Sequence, residues 1–156
     1  GDRPGDADEK IADGGTVIMT AKQYLKQTRY LDERINTKIA QVSSLHNLAT
    51  KATSTLSDMP GSPTRNTHRM EDIIIKILML ENEINADIDH LVDLKDEILS
   101  VIKAVDDEEC RLLLEKRYLN FEQWEDIAAE MCTGVKNIYR LHDKALKMLV
   151  LPEKCQ

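Results

Sequence analysis

Apolar residues recur every seven positions through the middle of this chain: Met70, Ile77, Ile84, Leu91, Ile98 and Val105 form one series. Ile73, Leu80, Leu94 and Val101 fill the intervening places, with Asp87 the single break. A repeat of that period lines its apolar side chains along one seam of an α-helix and requires another helix to cover it. At about 1.5 Å per residue the stretch from 70 to 105 is a rod of roughly 54 Å, too long for one compact core.

The covering helix is expected upstream. From Thr20, an N-cap residue type, Tyr24, Leu31, Ile35, Val42, Leu45, Ala49 and Ala52 keep the same rhythm to about Leu56, and Lys38 is the one charge in that seam. Between the two lies Ser57-Asp58-Met59-Pro60-Gly61-Ser62-Pro63, whose prolines and glycine stop a helix. A loop is expected at about 57–66, with the second helix starting near Thr67. The pair is predicted to fold back as an antiparallel hairpin over residues 19–105.

If the midpoint lies near residue 62 or 63, Leu45 falls level with Leu80, Leu31 with Leu94, Ala52 with Ile73 and Lys38 with Asp87. The two seam defects would then meet and fix the register more than they add stability, because desolvation offsets much of their attraction. The alternative places both on a wet edge. Leu25, Ile39, Ile74, Ile88 and Ile102 widen the apolar stripe beyond the seam. Two hairpins closing into a four-helix bundle would use it and give a homodimer; the C-terminal domain is the other candidate to cover it.

Composition supports an all-α chain. One Trp, one Phe and four Tyr in 156 residues are too few aromatic side chains to fill the faces of a sandwich or barrel. The formal charge of −7 is unevenly spread: residues 20–56 carry six basic against two acidic side chains, and residues 70–109 three basic against thirteen acidic. Residues 1–18 mix acids, glycines and a proline without apolar period and are read as a flexible leader, with Met19 a candidate native start. No stretch approaches the roughly 20 apolar residues of a membrane span. Cys110, Cys132 and Cys155 stand at no zinc-ligand spacing from any histidine and are expected as free thiols.

After Val105, Asp106 and Glu109 have capping-box-like spacing and restart a helix to about Leu119. Asn120 is expected to cap a short helix over 121–131, with Trp124, Ile127, Ala128 and Met131 on one face. Cys132-Thr133-Gly134 is a three-residue turn, and Gly134 can start the last helix but supplies no capping oxygen. That helix, 135 to about 149, should bury Ile138, Leu141, Ala145, Leu146 and Leu149. Its other side carries Lys136, Asn137, Arg140, Lys144 and Lys147, and residues 135–149 hold four basic side chains against Asp143. The pattern is a helix-turn-helix domain over 106–151, followed by a tail, 152–156.

The segment LLEKRYLNFEQWEDIAAEMCTGVKNIYRLHDKALKML resembles region 4 of bacterial sigma-70 factors and the phage-encoded regulators built on it. With a helical N-terminal half before it, the chain is similar to phage late-transcription activators of the ArpU and RinA type. Leu114, Arg117 and Tyr118 match the first-helix signature, Trp124, Ile127 and Ala128 the scaffold helix, and Ile138, Tyr139, Ala145 and Leu146 the recognition helix. The resemblance implies a transcription regulator in the cytoplasm of a bacterial host that reads double-stranded promoter DNA in the major groove. The contacts it implies are Lys136, Asn137, Tyr139, Arg140, Lys144 and Lys147, with Asn and Arg suited to base edges and Lys to phosphate. RNA polymerase is a further partner it suggests. Cys132, Thr133 and Gly134 depart from the family's Gly, apolar and Ser at the turn; the resemblance implies a left-handed backbone at Cys132 that its side chain disfavours, which weakens the expectation of sequence-specific reading.

No isolated carboxylate pair, nucleophile constellation or phosphate-binding glycine loop is present, so neither an enzyme nor a cofactor is expected. His142 is placed near the DNA face and lacks partners for a metal; Cys132 is read as packed at a helix corner rather than as a redox switch. Two other functions fit the same parts: a phage DNA-packaging adaptor of the small-terminase kind, and a coiled-coil interaction module that never meets DNA.

Overall fold

The computed structural model describes residues 19–56 and 63–153, and these are helical without any strand. In chain order the helices are α1 (Ala21–Leu56), α2 (Pro63–Lys103), α3 (Glu108–Tyr118), α4 (Trp124–Glu130) and α5 (Val135–Met148). No described helix is long and apolar enough to cross a membrane. The leader, 1–18, and most of the tail lie outside the described residues.

Helix α1 starts with a reciprocal cap. The Gln23 amide donates to Thr20 Oγ1 (3.2 Å), and the Thr20 amide donates to Gln23 Oε1 (2.9 Å), satisfying two donors that the first turn leaves open. Helix α2 begins at Pro63, four residues before the expected Thr67. Proline suits a first helical position, where its fixed φ is already helical and its missing N–H is not needed. Residues 63–66 are therefore helix rather than loop, and the rest of the expected loop, 57–62, lies outside the described residues.

The chain divides into two compact units, one of residues up to 29 together with those from 94 onward, the other of residues 30–93. The first unit therefore joins helix ends assigned by the sequence to the hairpin with the three short C-terminal helices.

In the 30–93 unit, Leu31, Ile35, Ile77 and Ile84 are buried. Lys38 donates to Asp87 Oδ2 at 2.6 Å, while Thr53 and Met70 approach nearer the loop. Partners descend along α2 as they ascend along α1, so the helices run antiparallel. Arg34 lies 3.5 Å from Asp87 and Glu83 lies 3.4 Å from Lys38, making a four-member charge network around the nearly buried central pair. The Lys38 hydrogen bond, and then the charge of Arg34, hold the Asp87 carboxyl below its usual pKa against the opposing effect of burial.

In the other unit, α3 is the hub. Its N-cap is Asp107, whose side chain accepts from the Cys110 amide at 3.1 Å. The expected cap, Asp106, stands one residue too early, because α2 ends at Lys103 and the Val105 amide is bonded back to the Ile102 carbonyl. At the far end, α3 presents carbonyls that no helical amide can reach. The Thr28 hydroxyl donates to the Tyr118 carbonyl (2.7 Å), and Arg29 Nη1 donates to the Arg117 carbonyl (3.3 Å). Leu25, Ile98, Ile102, Leu113, Leu114, Ile127 and Ile138 are fully buried in the same unit.

Both polar contacts should carry measurable weight. Thr28→Val keeps the shape but strands a buried carbonyl, and should lower unfolding free energy by about 1 to 2 kcal/mol in urea titration. A double-mutant cycle on Lys38→Met and Asp87→Leu should give a coupling of about 1 to 3 kcal/mol near neutral pH. Because the folded Asp87 pKa is depressed, that coupling is complete above the unfolded carboxyl value of about 4 and fades as pH falls through the lower folded value.

Candidate nucleic-acid interface

The segment from α4 to α5 is built from two helix ends. Helix α4 carries Glu125 and Asp126 in its first turn, where the helix dipole favours negative charge. It buries Trp124, Ile127 and Ala128. Its N-cap is Gln123, without a side-chain cap bond, and not Asn120. Asn120 instead belongs to the end of α3, where its amide donates to the Glu115 carbonyl at 3.0 Å. The chain then turns through Phe121, at a left-handed φ of 58°, and this reversal is what delays α4 to Trp124.

The α4 to α5 turn closes as a Schellman motif. The Thr133 amide donates to the Ala128 carbonyl (2.9 Å) and the Cys132 amide to the Ala129 carbonyl (3.2 Å). Cys132 occupies the left-handed position, φ 56°, where glycine avoids a Cβ clash. It is exposed rather than packed at the corner. Gly134 is the N-cap of α5, extended and without a capping side chain, as its lack of an oxygen dictates.

Helix α5 buries Ile138, Leu141, His142 and Ala145, at the i, i+3, i+4, i+7 spacing of one face. Leu146 and Leu149, expected in the core, are only half-buried. The opposite arc exposes Lys136, Arg140, Lys144 and Lys147, and Asp143 lies within it. Asn137 and Tyr139 are half-buried at its two margins.

These side chains are not equally presented. Arg140 donates from Nε and Nη2 to Asn137 Oδ1 (3.2 and 2.7 Å), and Asn137 Nδ2 donates to Thr133 Oγ1 (2.9 Å). The series Thr133, Asn137, Arg140 thus anchors a guanidinium to the turn. Lys144 donates to Asp107 Oδ2 at 2.7 Å. That bond, with the Cys110 amide on the same carboxylate, keeps the Asp107 pKa low, and it raises that of Lys144. Tyr139 packs edge-on against Trp124, ring centres 5.5 Å apart. Lys136 and Lys147 project from the exposed arc.

His142 is buried, not on the basic face. Its Nε2 shares a 2.7 Å hydrogen bond with Tyr118 Oη, and its ring packs edge-on against Trp124. Arg117 stacks its guanidinium 4.2 Å from the Trp124 ring centre and donates to the Glu122 carbonyl. Lys116 links α3 to Glu130 of α4 and to Glu122. These contacts set the angle of α5 beneath its cationic arc. The helical spacing of 142 from 138 and 145 was the signal for burial.

Among the described residues no group of three His, Cys, Asp or Glu side chains is arranged to hold a metal ion. Compared with family models, with curated proteins and with solved structures, the chain matches none of them.

Cys132→Gly should relieve the left-handed strain and raise unfolding free energy by on the order of 0.5 to 1 kcal/mol, less than the full strain because glycine also loosens the unfolded chain. Thermal unfolding of the variant beside the parent measures it.

Proposed function

We propose that α4, the 131–134 turn and α5 act as a helix-turn-helix, that α1 and α2 form a hairpin preceding it, and that the chain is a DNA-binding transcription regulator of the sigma-region-4 kind. One observation carries the reading: in a chain of net charge −7, the solvent-facing arc of α5 gathers Lys136, Arg140, Lys144 and Lys147 against one acid, Asp143. A cationic arc on a rigid helix attracts a phosphate backbone, and counterion release supplies its affinity.

The roles divide by how each side chain is held. Lys136 and Lys147, extended into solvent, serve phosphates. Arg140, with its Nε edge anchored on Asn137, keeps Nη1 and the outer edge of its fork for a base, which suits a guanine edge in the major groove. Tyr139 braces the scaffold rather than reading sequence. Lys144 contributes charge only after leaving Asp107.

Mobility shifts on promoter and packaging-site duplexes across a salt series test this. The parent should bind with a steep salt dependence. Lys136→Ala with Arg140→Ala should weaken binding at least about 10-fold and flatten the slope of log K against log salt by roughly 1 to 2. Preference for packaging-site DNA would move the assignment to an adaptor. Equal binding by parent and variant would show that the assigned surface is wrong, and no binding even at low salt would remove DNA from the function and leave an interaction module.

A further inference from the structure

A second apolar row runs along α2 beside its buried seam, entirely within the 30–93 unit. It consists of Ile74, Leu78, Glu81, Asn85, Ile88 and Val92, at the alternating four- and three-residue steps of a coiled-coil contact. The four apolar members stand open to solvent: Ile74 is 49% exposed, Leu78 54%, Ile88 41% and Val92 55%. Ile75 and Met79, also exposed, extend the patch along one edge. Two pairs of large exposed apolar side chains on one helix face, flanking a polar centre, mark a contact surface, unlike isolated ones.

The residue types matched across the midpoint of the row, more than its regular spacing, point to a second copy as the occupant. Ile74 and Val92, Leu78 and Ile88, and Glu81 and Asn85 each lie equally far on either side of Glu83. A two-fold axis beside residue 83 therefore sets Ile74 against Val92 of a second copy, Leu78 against Ile88, and the Glu81 carboxylate against an Asn85 amide able to donate to it. An isologous contact requires that self-matching pattern, whereas an unrelated partner does not. A parallel pairing of the same helices would instead confront Glu81 with Glu81.

We infer that the chain forms a two-fold dimer through antiparallel α2 helices, with Ile74, Leu78, Ile88 and Val92 as its apolar core and Glu81 and Asn85 as its polar centre. The contact is independent of the DNA reading and is measured without DNA.

Light scattering of the full chain through a dilution series should show a dimer. Leu78→Glu with Ile88→Glu, both at positions exposed in the single chain, should keep the helix content in circular dichroism and weaken the dimer at least roughly 100-fold, because carboxylates would be desolvated in the contact. Orientation is read separately in a Cys132→Ser, Cys155→Ser background. Mixing Glu81→Cys with Asn85→Cys chains under mild oxidation should give chiefly the mixed disulfide. A monomer at every concentration, a dimer indifferent to the double substitution, or preferential disulfide pairing of the Glu81→Cys chains with one another would each overturn the inference.

Discussion

Tyr118 is tied at both of its ends, and the C-terminal unit depends on that. Its carbonyl accepts from Thr28, ninety residues earlier, and its phenol shares a hydrogen bond with His142, in the last helix. The end of α3 is where a helix exposes unmet acceptors, and burial makes each one costly unless something donates. The first turns of α1 supply those donors through Thr28 and Arg29. Three short helices that would be marginal alone are thus fastened to the start of α1, remote from them in sequence.

Around that fastening the packing is polar as well as apolar. Trp124 receives Arg117 on its face and meets both Tyr139 and His142 edge-on. Such a cluster specifies orientation more sharply than interchangeable aliphatic contacts, since rings and guanidinium have few favourable relative poses. Orientation is what a surface helix needs if one of its faces is to be offered consistently.

Much of the helical architecture could be read in advance because period and turn chemistry are local. The seven-residue repeat foretold two long helices, and the lone charges in the two seams left Lys38 and Asp87 either as a register pair or on a wet edge, between which the 2.6 Å bond chooses. The capless Gly134 followed from residue type, whereas the left-handed Cys132 came only from the glycine that the resembled family carries at that place. What stayed hidden depends on neighbours remote in sequence. Asp106 and Asp107 are equivalent as caps until the end of α2 is placed. Asn120 looked like an N-cap because the backbone reversal at Phe121 has no signature in a residue that resists positive φ. On α5 the exposed arc was legible, yet the bond of Lys144 to Asp107 and the turning of Arg140 onto Asn137 depend on side-chain geometry that spacing does not encode.

Asp107 serves two masters, capping α3 and neutralising Lys144. A lysine already matched with a fixed carboxylate must give up that bond before it can neutralise another anion. If a polyanion recruits it as proposed, one anionic partner is exchanged for another, and the net electrostatic gain is smaller than for a lysine without that carboxylate. The protein thereby carries an internal competitor at one edge of its cationic surface, and the vacated carboxylate would sit near the incoming strand as a standing repulsion. On the proposed reading, loose adhesion to an acidic polymer would be discouraged at that edge, and the opposite end of the helix would make the first approach.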